Sequence, residues 1–264
     1  MINLLEEFVQ KTISAFEEKK QVADMWKAPL MAAIPADHPK IALLKQMVSK
    51  DHLLPKDLLL EAKSVIVLFI PFADRIPESN IQGRAASELW ADAYLLTNEL
   101  LDHLTRELAV ELRKRGHKAE TINATNNFDE TTLMSRWSHR HFAWIAGLGT
   151  FGINNMLITR NGCCGRFTSL VTDASCQELD FSNNEEESHN TLLISEKCLN
   201  KRNLSCGLCL KRCPDGVYSK EGIYDRFKCF EVCRRNAELY KSKGLVDVCG
   251  KCLVGLPCSI KEPE

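Results

Sequence analysis

The spacing of the cysteines in the last quarter of the chain constrains its fold more than any other feature. Nine of the 12 cysteines fall between Cys198 and Cys258. Eight of these form two runs, the first being Cys198, Cys206, Cys209 and Cys213 and the second Cys229, Cys249, Cys252 and Cys258. Close spacing lets several thiolates converge on one inorganic centre, so we expect this region to be organised around metal.

The order of these cysteines is typical of two interleaved iron–sulfur sites. Bacterial ferredoxins with two clusters use a CxxCxxCxxxCP run twice, and the fourth cysteine of each run binds the other cluster. Here Pro214 follows Cys213 as expected, but residues 199–205 lengthen the first gap, and Pro257 precedes Cys258 instead of following it. Interleaving predicts two 4Fe-4S clusters, one held by Cys198, Cys206, Cys209 and Cys258, the other by Cys213, Cys229, Cys249 and Cys252. Cys233, one helical turn after Cys229, is the alternative to that ligand.

Disulfide bonds and zinc are the alternatives to clusters. The N-terminus does not have the pattern of a secretory leader, and thiols remain free in a reducing compartment. A zinc ribbon separates its CxxC pairs by roughly 15 to 20 residues, whereas about 40 lie between the two pairs of this chain. A single cluster, with other uses for the remaining cysteines, also stays open.

Length and charge suggest a two-domain enzyme-sized chain without a nucleic-acid surface. The 264 residues, 45% of them hydrophobic, allow a full core and favour two domains, 1–190 and 191–264, with the acidic stretch from Gln177 to Asn190 as the linker. A net charge of −1 supplies no broadly basic face. No apolar run approaches the ~20 residues of a membrane-spanning helix. We expect a cytoplasmic protein of an anaerobe, because clusters near solvent are sensitive to oxygen.

Hydrophobic periodicity before the cysteines predicts an α+β body. The predicted elements are an amphipathic N-terminal helix, a short helix over 43–48, a buried strand over 64–72, a long helix over 85–115, and strands over 156–159 and 167–172. The last two strands are predicted to form a hairpin through Asn161-Gly162.

The segment from Gly147 to Gly152 matches the glycine pattern GxGxxG. A dinucleotide-binding fingerprint must open a helix, whereas this segment leads into the strand-like residues 156–159. Nicotinamide binding is therefore not expected. The glycines instead indicate that the backbone passes close to another group, either a large cofactor or a second stretch of backbone.

Residues 135–173, followed by the cysteine runs, resemble the epoxyqueuosine reductase family and its relatives, the reductive dehalogenases. The shared element is AGLGxxGxN, here Ala146 to Asn154, with Ile153 where the family usually has lysine. Residues 53–72 support the resemblance, which covers about residues 50 to 258 and is closest to a short, clostridial-type branch of the family.

The resemblance implies a nitroreductase-like or cobalamin-processing-like domain followed by a two-cluster ferredoxin-like domain. In the family the clusters feed electrons to a base-off cobalamin without a histidine beneath the cobalt, and this sequence contains no DxHxxG box. The residues expected at the cobalamin are Trp137, Ser138, His141, Ala146, Gly147, Leu148, Gly149, Gly152 and Asn154. The leading hypothesis is a cobalamin-dependent reductase of a small molecule or modified nucleoside, supplied with electrons by a donor such as ferredoxin or flavodoxin.

The resemblance also implies a proton donor and bears on the substrate. In the family an aspartate shortly before the AGLG element supplies the proton, and the nearest acids here are Asp129 and Glu130. The alternative is an ordinary surface carboxylate, which stays charged at neutral pH. Full-length relatives grip tRNA with a helical-repeat region that does not follow Cys258 here, so tRNA is not expected as a partner.

Two other functions and the three cysteines before the C-terminal runs also need to be considered. The chain could instead be a non-catalytic electron carrier or reductive activator of a corrinoid protein, or a flavoprotein that binds FMN. Cys163 and Cys164 are either a reactive pair, activated by Arg166, or buried and inert thiols. Cys176 has no predicted partner.

Overall fold

A four-stranded antiparallel sheet is the centre of the protein, in a computed structural model that describes residues 2–123, 128–179, 195–219 and 223–264. Its strands are Leu30–Pro35 (β1), Ser64–Pro71 (β2), Ala119–Thr121 (β3) and Gly165–Thr172 (β8), in the order β1-β2-β8-β3. Two smaller sheets pair Phe128–Asp129 (β4) with Met134–Ser135 (β5), and Gly149–Phe151 (β6) with Leu157–Thr159 (β7).

Helices cover both faces of the central sheet, and three more lie in the cysteine-rich region. They are Ile2–Lys20 (α1), Pro39–Ala42 (α2), Leu44–Met47 (α3), Pro55–Leu58 (α4), Arg75–Ser79 (α5), Glu88–Lys114 (α6), His139–Ile145 (α7), Cys176–Leu179 (α8), Leu199–Asn203 (α9), Leu208–Lys211 (α10) and Arg226–Leu239 (α11). The predicted α+β class is confirmed. None of the described helices is both long and apolar enough to cross a membrane.

The continuous apolar run of β2 is explained by its position in the middle of the sheet. All of its residues are buried between β1 and β8. Successive side chains of a strand point to opposite faces. Ile66, Leu68 and Ile70 pack against α1 and α6, whereas Val65, Val67 and Phe69 pack on the α7 side. The strand predicted over 64–72 is therefore confirmed as a core strand with two covered faces.

The two long helices also follow their sequence signals. In α1, Leu5, Val9 and Ile13 are buried at helical spacing. The Ser87 hydroxyl accepts a hydrogen bond from the Trp90 backbone N–H (3.2 Å), which caps the start of α6. Gly116, at φ +86°, follows the end of this helix. The long helix predicted over 85–115 thus begins at Glu88.

The predicted hairpin between residues 156–159 and 167–172 is wrong. Thr159 and Gly162 exchange two backbone hydrogen bonds of 3.0 Å, so the turn forms. The strands on either side then separate, because β7 pairs with β6 while β8 pairs with β2 and β3. The apolar β8 is buried only if it lies between two strands of the large sheet, and a local hairpin cannot provide that burial.

The turn before β8 joins the sheet to the C-terminal segment. A Cβ on Gly162 would lie 2.4 Å from the Ser259 carbonyl oxygen, so the two backbones are in close contact there. The Cys163 N–H donates to the Cys258 carbonyl oxygen (2.9 Å), and the Cys164 N–H donates to that of Ser259 (2.9 Å). These bonds hold Cys258 beside the sheet.

Few apolar side chains are buried in the cysteine-rich region. α11 buries only Val232 and Asn236, and no buried residue is found in α9. In the described parts of 195–264, the regular strands of a ferredoxin are replaced by short helices and one isolated bridge between Tyr218 and Tyr224. The predicted linker begins with Gln177–Leu179 in α8, and its remainder lies outside the described residues.

Gly149→Ala should destabilise the fold, because its Cβ would lie 2.2 Å from the Ile158 carbonyl oxygen across the β6–β7 pair. Forcing these strands apart should lower the free energy of unfolding by about 1–3 kcal/mol, measured by urea denaturation. Gly207→Ala is the matched control, because no atom lies within 4 Å of its Cβ and its backbone is extended. Equal unfolding midpoints for the two variants would contradict the tight β6–β7 contact.

Candidate functional site

Four thiols of the C-terminal region line one cavity. The walls of this small cavity include Cys198, Cys206, Cys209 and Cys258. Ile158, Leu199, Leu256, Pro257 and Pro263 add apolar surface around the sulfurs. This set is the one that interleaving assigns to the first cluster. A donor set of thiols alone, in an apolar enclosure, suits an iron–sulfur cluster.

Local structure explains how these four thiols converge. Cys198 immediately precedes α9, and Cys209 lies within α10, so the two short helices present their thiols from neighbouring turns. The Asn200 amide donates to the Cys206 carbonyl oxygen, which folds the long gap between the first two cysteines back on itself. The hydrogen bond between Cys163 and Cys258 brings in the fourth thiol.

The remaining cysteines of the C-terminal region form a second group, which consists of Cys213, Cys229, Cys233, Cys249 and Cys252. Burial, with the neighbouring thiols of Cys229, Cys249 and Cys213, raises the pKa of Cys252 to about 12. The Cys229 and Cys233 thiols hydrogen-bond to each other, and Cys233 also interacts with Cys249. The structure therefore places both alternative ligands at this second group.

The described cysteines form neither disulfide bonds nor a single-ion site. All twelve cysteines are free thiols. Over the part of the chain that the structure describes, no three Cys, His, Asp or Glu side chains are grouped closely enough to hold one metal ion. A zinc ion needs its four ligands within ~2.3 Å of a single atom. A cubane binds each thiolate at a separate iron, so its ligands must stand further apart.

The segment that begins with Trp137 is anchored in the core. The Trp137 indole is 1% exposed, and its N–H donates to the Ser169 hydroxyl (2.9 Å). That hydroxyl donates to Nδ1 of His139, whose Nε2–H donates to the Asn123 carbonyl oxygen (3.1 Å). Burial lowers the pKa of His139 to about 4, so the ring is neutral at pH 7. Trp137 therefore fixes α7 to β8 and does not wall an open pocket.

Ser138 and His141 belong to a neighbouring hydrogen-bond network. The Ser138 N–H donates to Nε2 of His52 (3.0 Å), and its hydroxyl lies 2.7 Å from Nδ1 of His141. Burial, with a smaller contribution from Arg140, lowers the pKa of His141 to about 4. The His141 ring is half-buried and lies 4.8 Å from the Phe151 ring. A neutral, partly accessible imidazole thus lies beside the glycine segment.

The predicted glycine segment divides into an accessible part and a buried part. Ala146, Gly147 and Leu148 are half-buried, whereas Gly149, Gly152 and Asn154 are buried. The close approach predicted for the glycines occurs at Gly149, and the partner is the backbone of β7. Asn154 has a different function, since its side-chain amide donates to the Cys252 carbonyl oxygen (2.9 Å) and connects this segment to the second thiol group.

Two arginines lie near this region; the sequence analysis missed Arg140 and named Arg166 only as an activator of Cys163 and Cys164. Arg140 donates to the Asn155 carbonyl oxygen (2.7 Å), and its electrostatic neighbours include Tyr224, Arg166 and Cys252. The Arg166 guanidinium lies 4.5 Å from the Tyr94 ring centroid. Its Nε is buried and has no hydrogen-bond partner in the described structure. A charged residue at the start of an apolar strand is the signal that could have identified Arg166.

Asp129 is exposed and held as a carboxylate. Its Oδ1 accepts hydrogen bonds from the backbone N–H and hydroxyl groups of both Thr131 and Thr132, at 2.5–3.0 Å. Hydrogen bonds from the Thr131 hydroxyl and then from Thr132 lower the pKa of the Asp129 carboxyl group to about 2. A carboxyl group with this pKa is ionised at neutral pH and has no proton to donate. The general-acid role implied for Asp129 therefore gains no support from this conformation and stays a prediction.

The paired cysteines of the turn before β8 have the properties of inert thiols. Cys163 and Cys164 are 2% and 1% exposed. The pKa of the Cys163 thiol is raised, mainly by a hydrogen bond with Cys164 and also by burial. This sulfur therefore stays protonated. Cys176, in α8, lies 3.5 Å from the Ser64 hydroxyl.

Comparison with solved structures identifies the fold. An epoxyqueuosine reductase from Streptococcus thermophilus is similar to this chain with a TM-score of 0.56 and 16% identity, over 100% of this chain and 68% of the reductase. An epoxyqueuosine reductase solved with an epoxyqueuosine-modified tRNA-Tyr stem loop is similar with a TM-score of 0.51 and 17% identity. The match covers 97% of this chain and 70% of that reductase. A reductive dehalogenase described as B12-dependent is similar with a TM-score of 0.55 and 14% identity. The match covers 89% of this chain and 30% of the dehalogenase.

These likenesses confirm the mixed α+β fold, and the two-cluster ferredoxin-like domain stays a prediction. No protein-family model and no curated protein matches the chain. Because one neighbour was solved with a tRNA stem loop, the prediction that tRNA is not a partner gains no support from the comparisons.

Thr131→Ala combined with Thr132→Ala should raise the pKa of Asp129 from about 2 towards its ordinary value of 3.8, because two hydroxyl donors to the carboxylate are lost. The pKa is measured from the carboxyl ¹³C chemical shift against pH. Replacing both threonines by serine keeps the hydroxyls and should leave the pKa near 2. If the double alanine variant titrates like the unmodified protein, the threonine hydroxyls do not hold the carboxylate.

Proposed function

We propose that the chain is a cobalamin-dependent reductase in which two 4Fe-4S clusters deliver electrons to a base-off corrinoid, for the reduction of a small molecule or a modified nucleoside. The convergence of Cys198, Cys206, Cys209 and Cys258 on one cavity carries this proposal. The shared fold with epoxyqueuosine reductases and a B12-dependent dehalogenase supports it. The proposed units are a reductase-like domain over 1–190 and a cluster domain over 191–264.

In this proposal the residues around the thiols bind and tune the clusters. The first set supplies four thiolates, and the apolar wall of its cavity excludes water. The second set consists of Cys213, Cys249, Cys252 and either Cys229 or Cys233. The Tyr218 hydroxyl lies within hydrogen-bonding reach of Cys252, and that of Tyr224 lies within reach of Cys229. Hydrogen bonds to ligating sulfurs are among the factors that set a cluster's reduction potential.

The residues beside the second thiol group fit the requirements of a corrinoid. When bound, cobalamin supplies a reactive cobalt centre for reductive chemistry. The unpartnered, buried Nε of Arg166 needs an acceptor, and the amide and phosphate oxygens of a corrinoid are acceptors. The half-buried backbone of Ala146, Gly147 and Leu148 offers further polar groups, and the His141 and Phe151 rings offer apolar surface.

The second candidate is a non-catalytic electron carrier or reductive activator of another corrinoid protein. The β6–β7 contact favours it, because the close approach at Gly149 is already explained by Ile158. Trp137, Ser138 and Asn154 are likewise engaged within the protein. A carrier needs the two thiol sets but no corrinoid.

Cys258→Ser should reduce iron and acid-labile sulfide by about half, because one of two clusters loses a ligand. Protein purified anaerobically is assayed for both elements and by electron paramagnetic resonance after reduction. Cys163→Ser is the matched control, since this thiol hydrogen-bonds to Cys258 but belongs to neither set, and it should leave the iron content unchanged. The same assay on Cys229→Ser and Cys233→Ser identifies the ligand on α11. An equal iron loss in the Cys163 and Cys258 variants would overturn the proposed first ligand set.

Anaerobic titration with cobalamin should shift the corrinoid spectrum towards the base-off form. Arg166→Met should weaken binding roughly tenfold, because a hydrogen bond from a charged donor is lost. Arg106→Met, on the exposed surface of α6, should bind like the unmodified protein. Cluster absorbance with no corrinoid shift would instead establish the electron carrier. A yellow chromophore that persists after cluster removal would indicate a flavoprotein.

A further inference from the structure

The long gap in the first cysteine run forms a basic surface segment. Residues 199–212, called here the basic segment, contain Lys201, Arg202, Lys211 and Arg212 and no carboxylate, although the whole chain has a net charge of −1. Lys201, Arg202 and Lys211 are exposed, whereas Arg212 donates inward to the Ile81 carbonyl oxygen (2.7 Å). The Glu196 carboxylate, just before the segment, lies 4.0 Å from the Lys201 ammonium, and the segment is basic even with this pair.

Two leucines of the basic segment are exposed in the same place. Leu204 is 82% exposed and Leu208 is 43% exposed. Leu204 also has φ +59°, a left-handed conformation that is unfavourable for residues other than glycine and asparagine. An apolar side chain held in this way on the surface contributes little to folding. Exposed apolar residues within a charged rim are a common composition of a protein-binding surface.

The basic segment is rigidly attached above the cavity. Leu199 and Asn200 line the cavity from its outer side. The Lys201 ammonium donates to the Phe151 carbonyl oxygen (2.5 Å), and the Arg202 guanidinium donates to that of Pro263 (3.3 Å). Because the segment is already ordered, little conformational entropy would be lost when a partner binds. The partner would lie directly beside the first set of thiols.

The exposed cations have a simpler explanation, which is that they offset the negative charge of a thiolate cluster. That explanation does not account for Leu204, which is both apolar and unfavourably placed. An RNA surface is also disfavoured, because RNA-binding faces combine cations with aromatic rings on which bases stack, and the basic segment contains no aromatic residue.

We propose that the basic segment is the docking surface for an acidic electron-carrier protein, which reduces the cluster of the Cys198 set. This inference rests on the proposed clusters but not on cobalamin. In each encounter the carrier is oxidised by one electron and the cluster is reduced by one, without bond formation. Complementary charge accelerates and orients the encounter, and the leucines exclude water at the contact.

The test compares two double variants that are matched in charge and apolar area. Lys211→Glu with Leu204→Ser changes the basic segment. Lys56→Glu with Leu60→Ser changes an exposed lysine and a leucine that is 79% exposed at the other end of the chain. Reduction of the clusters by an acidic flavodoxin in its hydroquinone form is followed by stopped-flow absorbance, and dithionite serves as a small reductant that needs no docking.

The basic-segment variant should be reduced by flavodoxin roughly tenfold more slowly, with a weaker dependence on salt. Its reduction by dithionite, its iron content and its cluster potentials should be unchanged, and the control variant should behave like the unmodified protein. Carbodiimide treatment of the unmodified complex should join flavodoxin carboxylates to Lys201 or Lys211, as identified by mass spectrometry.

Equal flavodoxin rates in the two variants would overturn the docking proposal, as would slower reduction by both reductants or a shifted potential, which would indicate charge compensation. Loss of RNA binding in the basic-segment variant alone would assign the surface to RNA. Protein without clusters would overturn both the docking surface and the proposed reductase. Normal docking without a corrinoid shift would refute cobalamin alone.

Discussion

The contact between the turn before β8 and the C-terminal segment is the constraint on which the candidate site depends. Gly162 permits an approach to Ser259 that no other residue could make without a backbone shift. The adjoining hydrogen bonds from Cys163 and Cys164 then fix residues 258 and 259 against the central sheet. Because Cys258 completes the first set of thiols, the position of that set relative to β8 is determined by this contact.

The cysteine-rich region is stable only together with its surroundings. It buries few apolar side chains of its own, and a segment of this size rarely supplies enough hydrophobic core. Hydrogen bonds to the larger body replace part of that core, since Asn80 donates to the Cys249 carbonyl oxygen and Lys251 donates to those of Asn80 and Gln82. Metal–thiolate bonds are the other source of stability that small domains use.

Sequence reasoning succeeded where the signal was local or long. The buried strand β2 and the helices α1 and α6 follow directly from apolar periodicity. It failed where a distant partner decides the outcome. The turn at Asn161-Gly162 forms, but the burial required by β8 separates the strands. The environment of Asp129 is local, since Thr131 and Thr132 donate to its carboxylate, but a composition-based analysis does not reveal such bonds.

In the sequence, the cysteines that line the thiol cavity lie on both sides of the second group of cysteines. Cys198, Cys206 and Cys209 precede every cysteine of that group, whereas Cys258 follows all of them. The second group is thus nested inside the loop that the first one closes. During synthesis, every cysteine of the inner group is therefore made before Cys258, the last member of the outer one.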